Sequence, residues 1–121
     1  MANLPIHKVM LVEDDPSMQS LLRTLLELEG FQVSVPDNKP ESELLAAIRA
    51  EQPDVILLDV HLRDVSGIEV LRKLRNGDEA SKTRVIMTSG MDVRDESFQA
   101  GADDFLMKPY MPSELIRKLR G

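Results

Sequence analysis

The sequence predicts a doubly wound α/β domain, a five-stranded parallel sheet with helices on both faces. Four short continuous apolar runs predict buried strands: Val9-Met10-Leu11-Val12, Val55-Ile56-Leu57-Leu58, Val85-Ile86-Met87 and Phe105-Leu106-Met107. Stretches of helical spacing separate them, so the order is βα repeated five times. Right-handed crossovers then place helices on both sides of the sheet. The remaining run, Phe31-Gln32-Val33-Ser34-Val35, alternates apolar and polar residues. It belongs on an edge, which favours the flavodoxin-like strand order 2-1-3-4-5.

The first strand ends in Glu13-Asp14-Asp15. Asp15 and Pro16 open the first helix, a capping acid followed by proline at the first helical position. Met18, Leu21, Leu22, Leu25 and Leu28 form its apolar stripe, and Gly30 stops it. After the second strand, turn-rich residues 36–40 lead into a helix carrying Leu44, Leu45 and Ile48. Pro53-Asp54 introduces the third strand, which ends at Asp59. Residues 61–65 form a loop, and Ser66-Gly67-Ile68-Glu69 has the spacing of a capping box. That helix presents Ile68, Leu71 and Leu74 and ends at Asn76-Gly77. The fourth strand ends in Thr88-Ser89, and only a short helix over residues 95–100 fits before Gly101. The final helix follows Pro112 with Leu115, Ile116 and Leu119 inward. No repeat, low-complexity stretch or linker interrupts this order, so residues 1–121 are expected to form one domain with a core of about 8–119.

Composition narrows the function classes. The 42% apolar and 30% charged residues are ordinary for a soluble domain. No apolar run approaches the roughly 20 residues of a membrane helix, and the N-terminus lacks the pattern of a secretory signal. The absence of cysteine excludes disulfides and thiolate metal sites and fits a cytoplasmic protein. The net charge is -6 with the bases interspersed, which argues against a nucleic-acid surface, as does an aromatic content of 3%. Arg72, Lys73 and Arg75, and Arg117, Lys118 and Arg120, read as solvated faces or last turns of helices. His7 is expected on the surface.

All strands of a parallel sheet end on one edge, and open α/β sheets bind ligands there, at the switch between the first and third strands. That edge collects Glu13, Asp14 and Asp59 with Ser89 and Lys108. Crowded carboxylates raise one another's pKa, and a divalent cation relieves them. Mg2+ (or Mn2+) suits oxygen donors, and magnesium commonly bridges protein carboxylates to phosphate oxygens. Asp59 would then be a carboxylate nucleophile, Lys108 a counter-charge for a phosphoryl group, and Ser89 a hydrogen-bond donor to it. Singly, each residue has an ordinary structural reading: Asp14 and Asp15 as helix caps, Asp59 as a turn former, Ser89-Gly90 as a turn pair, Lys108 as a surface lysine. The combination carries the functional reading.

The blocks Lys8-Val9-Met10-Leu11-Val12-Glu13-Asp14-Asp15, Asp54-Val55-Ile56-Leu57-Leu58-Asp59 and Gly101-Ala102-Asp103-Asp104-Phe105-Leu106-Met107-Lys108-Pro109 resemble the receiver domain of two-component response regulators. The resemblance implies that Asp59 is the phosphoacceptor, that Asp14 ligates magnesium directly, and that Glu13 acts through water. It assigns the His61 backbone carbonyl as a further ligand. Ser89, rather than Thr88, takes the hydroxyl position, Lys108 the lysine position followed by a usually cis bond to Pro109, and Phe105 the aromatic switch. His61 and Met91 fall where family members tune hydrolysis. The implied activity is transfer of a phosphoryl group from the phosphohistidine of a sensor histidine kinase or histidine phosphotransfer protein to Asp59, then its hydrolysis. The implied consequence is a conformational shift that controls a downstream protein or effector domain. Neither direct nucleic-acid binding nor membrane binding is implied for this domain, and a homodimer through the output face is compatible with it.

Two departures from that pattern bear on the expectations. Arg63 stands where proline is common, so the loop after Asp59 is expected to be looser. The stretch from Ser89 to Lys108 is about three residues short, close to one helical turn. The fourth helix is therefore expected to be shortened or displaced and the output face altered. Three rivals stand beside this reading. A phosphorylation-independent docking module would ordinarily have lost the acceptor, the acidic pair or the lysine. A haloacid-dehalogenase-type phosphatase needs an acid at position 61, which is His61. A flavodoxin would not carry so acidic a first loop.

Overall fold

A computed structural model of the chain describes residues 8–36, 40–77 and 82–121. Among these residues, strands and helices alternate: β1 (Lys8–Val12), α1 (Pro16–Leu28), β2 (Gln32–Ser34), α2 (Glu41–Glu51), β3 (Val55–Asp59), α3 (Gly67–Arg75), β4 (Arg84–Ser89), α4 (Arg94–Ala100), β5 (Asp104–Met107) and α5 (Pro112–Arg120). The strands are all parallel in the order β2-β1-β3-β4-β5. This is the flavodoxin-like (βα)5 arrangement, with the alternating β2 on one edge.

Side-chain alternation divides the sheet between two cores. Met10, Val12, Ile56, Leu58, Val85, Met87 and Phe105 pack against α2, α3 and α4. Val9, Leu11, Val55, Leu57, Ile86 and Leu106 pack against α1 and α5. Burial on both faces is the reason the inner strands read as unbroken apolar runs. The register sets Asp59 beside Thr88 and Ser89 beside Met107, which leaves Asp59, Ser89 and Lys108 on the carboxyl edge.

Several local expectations need correction. On α1, Leu22 and Leu26 are buried, whereas Leu21 and Leu28 are 55% and 79% exposed. The two exposed leucines lie seven residues apart, on a flank the 3.6-residue period turns away from the sheet. Asp15 caps α1 as expected, accepting from the Ser17 N–H at 2.9 Å. Ser66 caps α3 from the Glu69 N–H at 3.3 Å, but the return half of the box is absent because the Glu69 carboxylate pairs with Arg72. The reciprocal contact occurs on α5, where Glu114 accepts from the Met111 N–H at 3.3 Å.

The basic clusters at the ends of α3 and α5 do more than face solvent. Arg75 donates to the carbonyls of Gly101 (2.8 Å) and Thr83 (2.6 Å) and to the Asp103 carboxylate (2.9 Å), joining α3 to the loops before β4 and after α4. Gly101 has φ +112°, and a Cβ there would lie 2.7 Å from the Arg75 Cγ. Lys118 pairs with Asp104 at 2.9 Å, and Arg120 pairs with Glu29 at 3.0 Å. α4 spans seven residues, the shortest of these helices. No helix among the described residues is long and apolar enough to cross a membrane. His7 lies outside the described residues.

Candidate functional site

The central strands β1 and β3 deliver the acidic residues, and backbone bonds lock the loops around them. The Val60 N–H donates to the Thr88 carbonyl at 2.8 Å and the Gly67 N–H to the Val60 carbonyl at 2.8 Å. The Lys108 N–H donates to the Ser89 carbonyl at 2.8 Å, and the Lys108–Pro109 bond is cis. On the β1 side, the Gln19 side-chain amide donates to the Glu13 carbonyl, and Glu13 Oε2 accepts from the Asp15 N–H at 3.1 Å.

Lys108 Nζ lies 2.8 Å from Asp59 Oδ2 and 3.0 Å from Glu13 Oε1. The side chains of Asp59 and Glu13 are 9% and 7% exposed, that of Lys108 24%. Burial works against the lysine charge, but hydrogen bonds to Asp59 and Glu13 outweigh it and hold the pKa above the ordinary lysine value. The second Asp59 oxygen, Oδ1, accepts from the His61 N–H at 3.1 Å. Asp14 is half-buried, and its Oδ2 accepts from the backbone N–H of Arg63. The His61 side chain is exposed.

The remaining sequence-predicted residues have partners and surroundings of their own. Ser89 is fully buried, and its Oγ accepts from the Met91 N–H at 3.0 Å. Met91 itself is 61% exposed. The Phe105 ring is buried in the core on the α2–α3–α4 face, with the Arg94 guanidinium 5.4 Å from its centroid. A cleft of about 450 Å³ opens at the mouth, lined by Glu13, Asp14, His61 and Arg63 among others. A larger cavity of about 560 Å³ lies beside Asp14 against α2, and neither cavity has Asp59 or Lys108 in its walls. The convergent charges, not the larger volume, locate the chemistry.

The donor set fits a hard divalent cation. The buried Asp59 and Glu13 carboxylates share one ammonium, with Asp14 following Glu13 on the same loop, so the pocket carries excess negative charge held away from solvent. Among the described residues no three acidic or imidazole side chains converge tightly enough to share one ion. Magnesium takes one or two carboxylates and keeps several waters, so the fit rests on the carboxylates of Asp14 and Asp59.

Three features escaped the sequence reading, and a fourth, at a residue it had named, was a contact it did not foresee. Gln19 gives no signal, because its role is a bond to a main-chain carbonyl. Gly67 matters through clearance: a Cβ there would lie 2.2 Å from the Asp59 carbonyl oxygen. The Ser66-Gly67 pair after the loop was the available hint. Tyr110 follows Lys108-Pro109 directly. Its pKa is pushed up to about 12, mainly by burial; the Lys108 charge opposes this, and those of Glu13 and Asp59 add to it. The fourth feature is Arg63. Its backbone N–H ties the loop to Asp14, where a looser loop was expected.

The response regulator receiver domain family matches residues 9–120. The chain belongs to this family. The receiver is 36% identical over 116 residues to the transcriptional regulatory protein TrcR of Mycobacterium tuberculosis, covering 94% of this chain and 44% of that protein. It is 34% identical over 116 residues to the phosphate regulon transcriptional regulatory protein PhoB of Rhizobium meliloti, covering 93% and 50%. The receiver thus spans about half the length of the curated relatives it matches. Its fold is similar to that of the chemotaxis response regulator CheY4 of Vibrio cholerae, with TM-score 0.83, 26% identity and coverage of 94% and 96%. It is also similar to the BeF3-activated N-terminal receiver domain of Klebsiella pneumoniae RstA, with TM-score 0.83, 27% identity and coverage of 94% and 96%. This is a receiver domain of two-component response regulators, a signalling protein.

Proposed function

We propose that this receiver takes a phosphoryl group onto Asp59 from the phosphohistidine of a sensor histidine kinase or histidine phosphotransfer protein, and later hydrolyses it. The observation that carries the reading is Lys108 Nζ, set between Asp59 and Glu13 at 2.8 and 3.0 Å on the carboxyl edge of the sheet. An Asp59 carboxylate oxygen attacks phosphorus, the P–N bond to the donor imidazole breaks, and the imidazole leaves with that electron pair. In hydrolysis, water attacks phosphorus and the P–O bond to Asp59 breaks, restoring the carboxylate and releasing inorganic phosphate.

The chain's own groups serve these steps through charge and position. Lys108 holds its proton and neutralises phosphoryl oxygens. The Ser89 oxygen already accepts from Met91, so its O–H is the group offered to a phosphoryl oxygen. Movement of Ser89 toward that oxygen is the event Phe105 reports to the face formed by α4, β5 and α5. That face is altered here by the seven-residue α4. His61 and Met91, both exposed at the rim, govern water access. Magnesium (or manganese), when bound, would be held by Asp14, Asp59 and the His61 carbonyl, with Glu13 through water, and would supply positive charge opposite the phosphoryl oxygens. The protein works in the cytoplasm, switches a downstream protein or effector domain, and is compatible with homodimer formation.

The test is intact mass after incubation with acetyl phosphate, with and without Mg2+, for wild type and Asp59→Asn. The expected result is a gain of one phosphoryl group that requires Mg2+ and disappears in Asp59→Asn. If acetyl phosphate fails, beryllofluoride binding distinguishes a competent pocket awaiting its kinase from an inactive one. Failure of both in folded protein would favour the rival docking module, whose one supporting observation is the short α4.

A further inference from the structure

The two ends of α4 are held in different ways. At the C-terminal end Gly101 is left-handed, and the N–H groups of Gly101 and Ala102 donate to the carbonyls of Phe98 and Ser97, both at 3.0 Å. The Arg75 guanidinium then donates to the Gly101 carbonyl at 2.8 Å, the Asp103 carboxylate at 2.9 Å and the Thr83 carbonyl at 2.6 Å. Asp103 is itself tied to β4: its carboxylate accepts from the Val85 N–H at 2.8 Å, and its N–H donates to the Val85 carbonyl at 2.9 Å. A guanidinium holds its donors in fixed directions. One side chain therefore joins α3, the start of β4 and the end of α4.

At the N-terminal end Val93 supplies no side-chain cap. Asp92 accepts from the Arg94 N–H at 3.3 Å, but both lie at the same loop–helix junction and move together. What reaches this end from outside is a relay of single bonds that starts at the site. Ser89 Oγ accepts from the Met91 N–H at 3.0 Å, the Met91 carbonyl from the Val93 N–H at 2.9 Å, and the Val93 carbonyl from the Ser97 N–H at 3.0 Å. Arg94, the first residue of α4, holds its guanidinium 5.4 Å from the Phe105 centroid. A displacement of Ser89 thus enters α4 at one end while the other end is fixed.

We propose that α4 is a lever with its pivot at Arg75: the N-terminal end follows Ser89, and residues 101–103 stay on the sheet. This rests on the proposed role of Ser89 at the phosphorylated acceptor. Hinges concentrate movement at a few element-terminal residues. The surface that reports the state of the site is then the N-terminal half of α4 beside Phe105, not its C-terminal turn.

Backbone amide NMR of wild type, Arg75→Met and Arg84→Met, free and with beryllofluoride plus MgCl2, tests the lever. Arg84 is the control, because it donates to the carbonyls of Lys118 and Leu119 on α5, at 2.7 and 2.9 Å. Residual dipolar couplings report orientation rather than nearness to the ligand. In wild type, beryllofluoride should tilt α4 against the sheet by about 10° or more while residues 101–103 keep their orientation. In Arg75→Met, residues 101–103 should turn with the helix. In the free protein their amide order parameters should be about 0.85, should fall toward about 0.6 in Arg75→Met, and should hold in Arg84→Met. A wild-type helix that stays still with beryllofluoride bound, or that carries residues 101–103 along, would overturn the proposal. Order parameters that Arg75→Met leaves intact, or that Arg84→Met lowers equally, would do the same. Should Arg75→Met not fold, Arg75→Lys, whose one ammonium cannot span three acceptors, must show the same loosening. If beryllofluoride leaves every wild-type resonance unmoved, the acceptor reading has failed, and the order parameters of free Arg75→Met still decide the anchor.

Discussion

Replacing Gly67 by alanine is the sharpest test of how the acceptor strand is held. Gly67 is the first residue of α3, and glycine-to-alanine changes in helices ordinarily stabilise by up to about 1 kcal/mol. Here the new Cβ would lie 2.2 Å from the Asp59 carbonyl oxygen and 2.9 Å from the Val60 Cα. Ordinary contact begins near 3.4 Å, so the overlap exceeds an ångström by the first of these distances. Both obstructing atoms are backbone, so no side chain can rotate away. Relief requires α3 to retreat from β3, which also strains the Gly67-to-Val60 bond of 2.8 Å. Overpacking of this kind costs about 1–3 kcal/mol or more, and with immovable neighbours the upper end applies. A loss of about 3 kcal/mol lowers the melting temperature by about 12 °C at this chain length. Urea unfolding and thermal melts give the stability, and the acetyl phosphate reaction should slow because the acceptor's own backbone moves. Gly90→Ala is the control: a Cβ there meets nothing within 4 Å, so its effect should stay within about 1 kcal/mol. Gly67→Ala as stable as wild type would refute the clearance account.

Tyr110, the only tyrosine of the chain, offers a direct optical reading of the pocket's surroundings. Its tyrosinate absorbance should titrate near the folded value of about 12, against an ordinary value of 10.0. Because the folded state keeps the proton after the unfolded state has lost it, stability should fall as pH rises from 10 toward 12 and level off above. Tyr110→Phe should remove that part of the alkaline loss, and a tyrosinate midpoint at the ordinary value would contradict the burial that raises it. In α4, the Ser97 hydroxyl is buried without a hydrogen-bond partner among the described residues. An unsatisfied buried hydroxyl costs about 1–3 kcal/mol, so Ser97→Ala should raise the urea midpoint. A lowered midpoint would show that the hydroxyl has a partner in solution.

The sheet was legible because burial on both faces writes itself into composition. Strands flanked by helices must be apolar at every position, as Val55-Ile56-Leu57-Leu58 is, and an edge strand can alternate, as Gln32-Val33-Ser34 does. The meeting of Glu13, Asp59 and Lys108 was legible for the same reason, since parallel strands must end on one edge. The α1 stripe was misjudged because leucine content does not say which flank faces the sheet, and Leu21 and Leu28 face solvent. The basic residues of α3 fall in its last turn as read, but the sequence did not show that Arg75 leaves solvent for the carbonyls of Gly101 and Thr83.

What the sequence determined by itself is which side chains arrive at the carboxyl edge: the strand lengths and their terminal residues settle that before any packing is known. Only the tertiary structure decided how they are held there. The Arg63 amide on Asp14, the Gln19 amide on the Glu13 carbonyl and the space that Gly67 leaves beside Asp59 all involve main-chain atoms. Nearly every residue carries the same N–H and C=O, so their partners leave no mark on residue identity. They become visible only when the chain has folded and distant loops lie side by side.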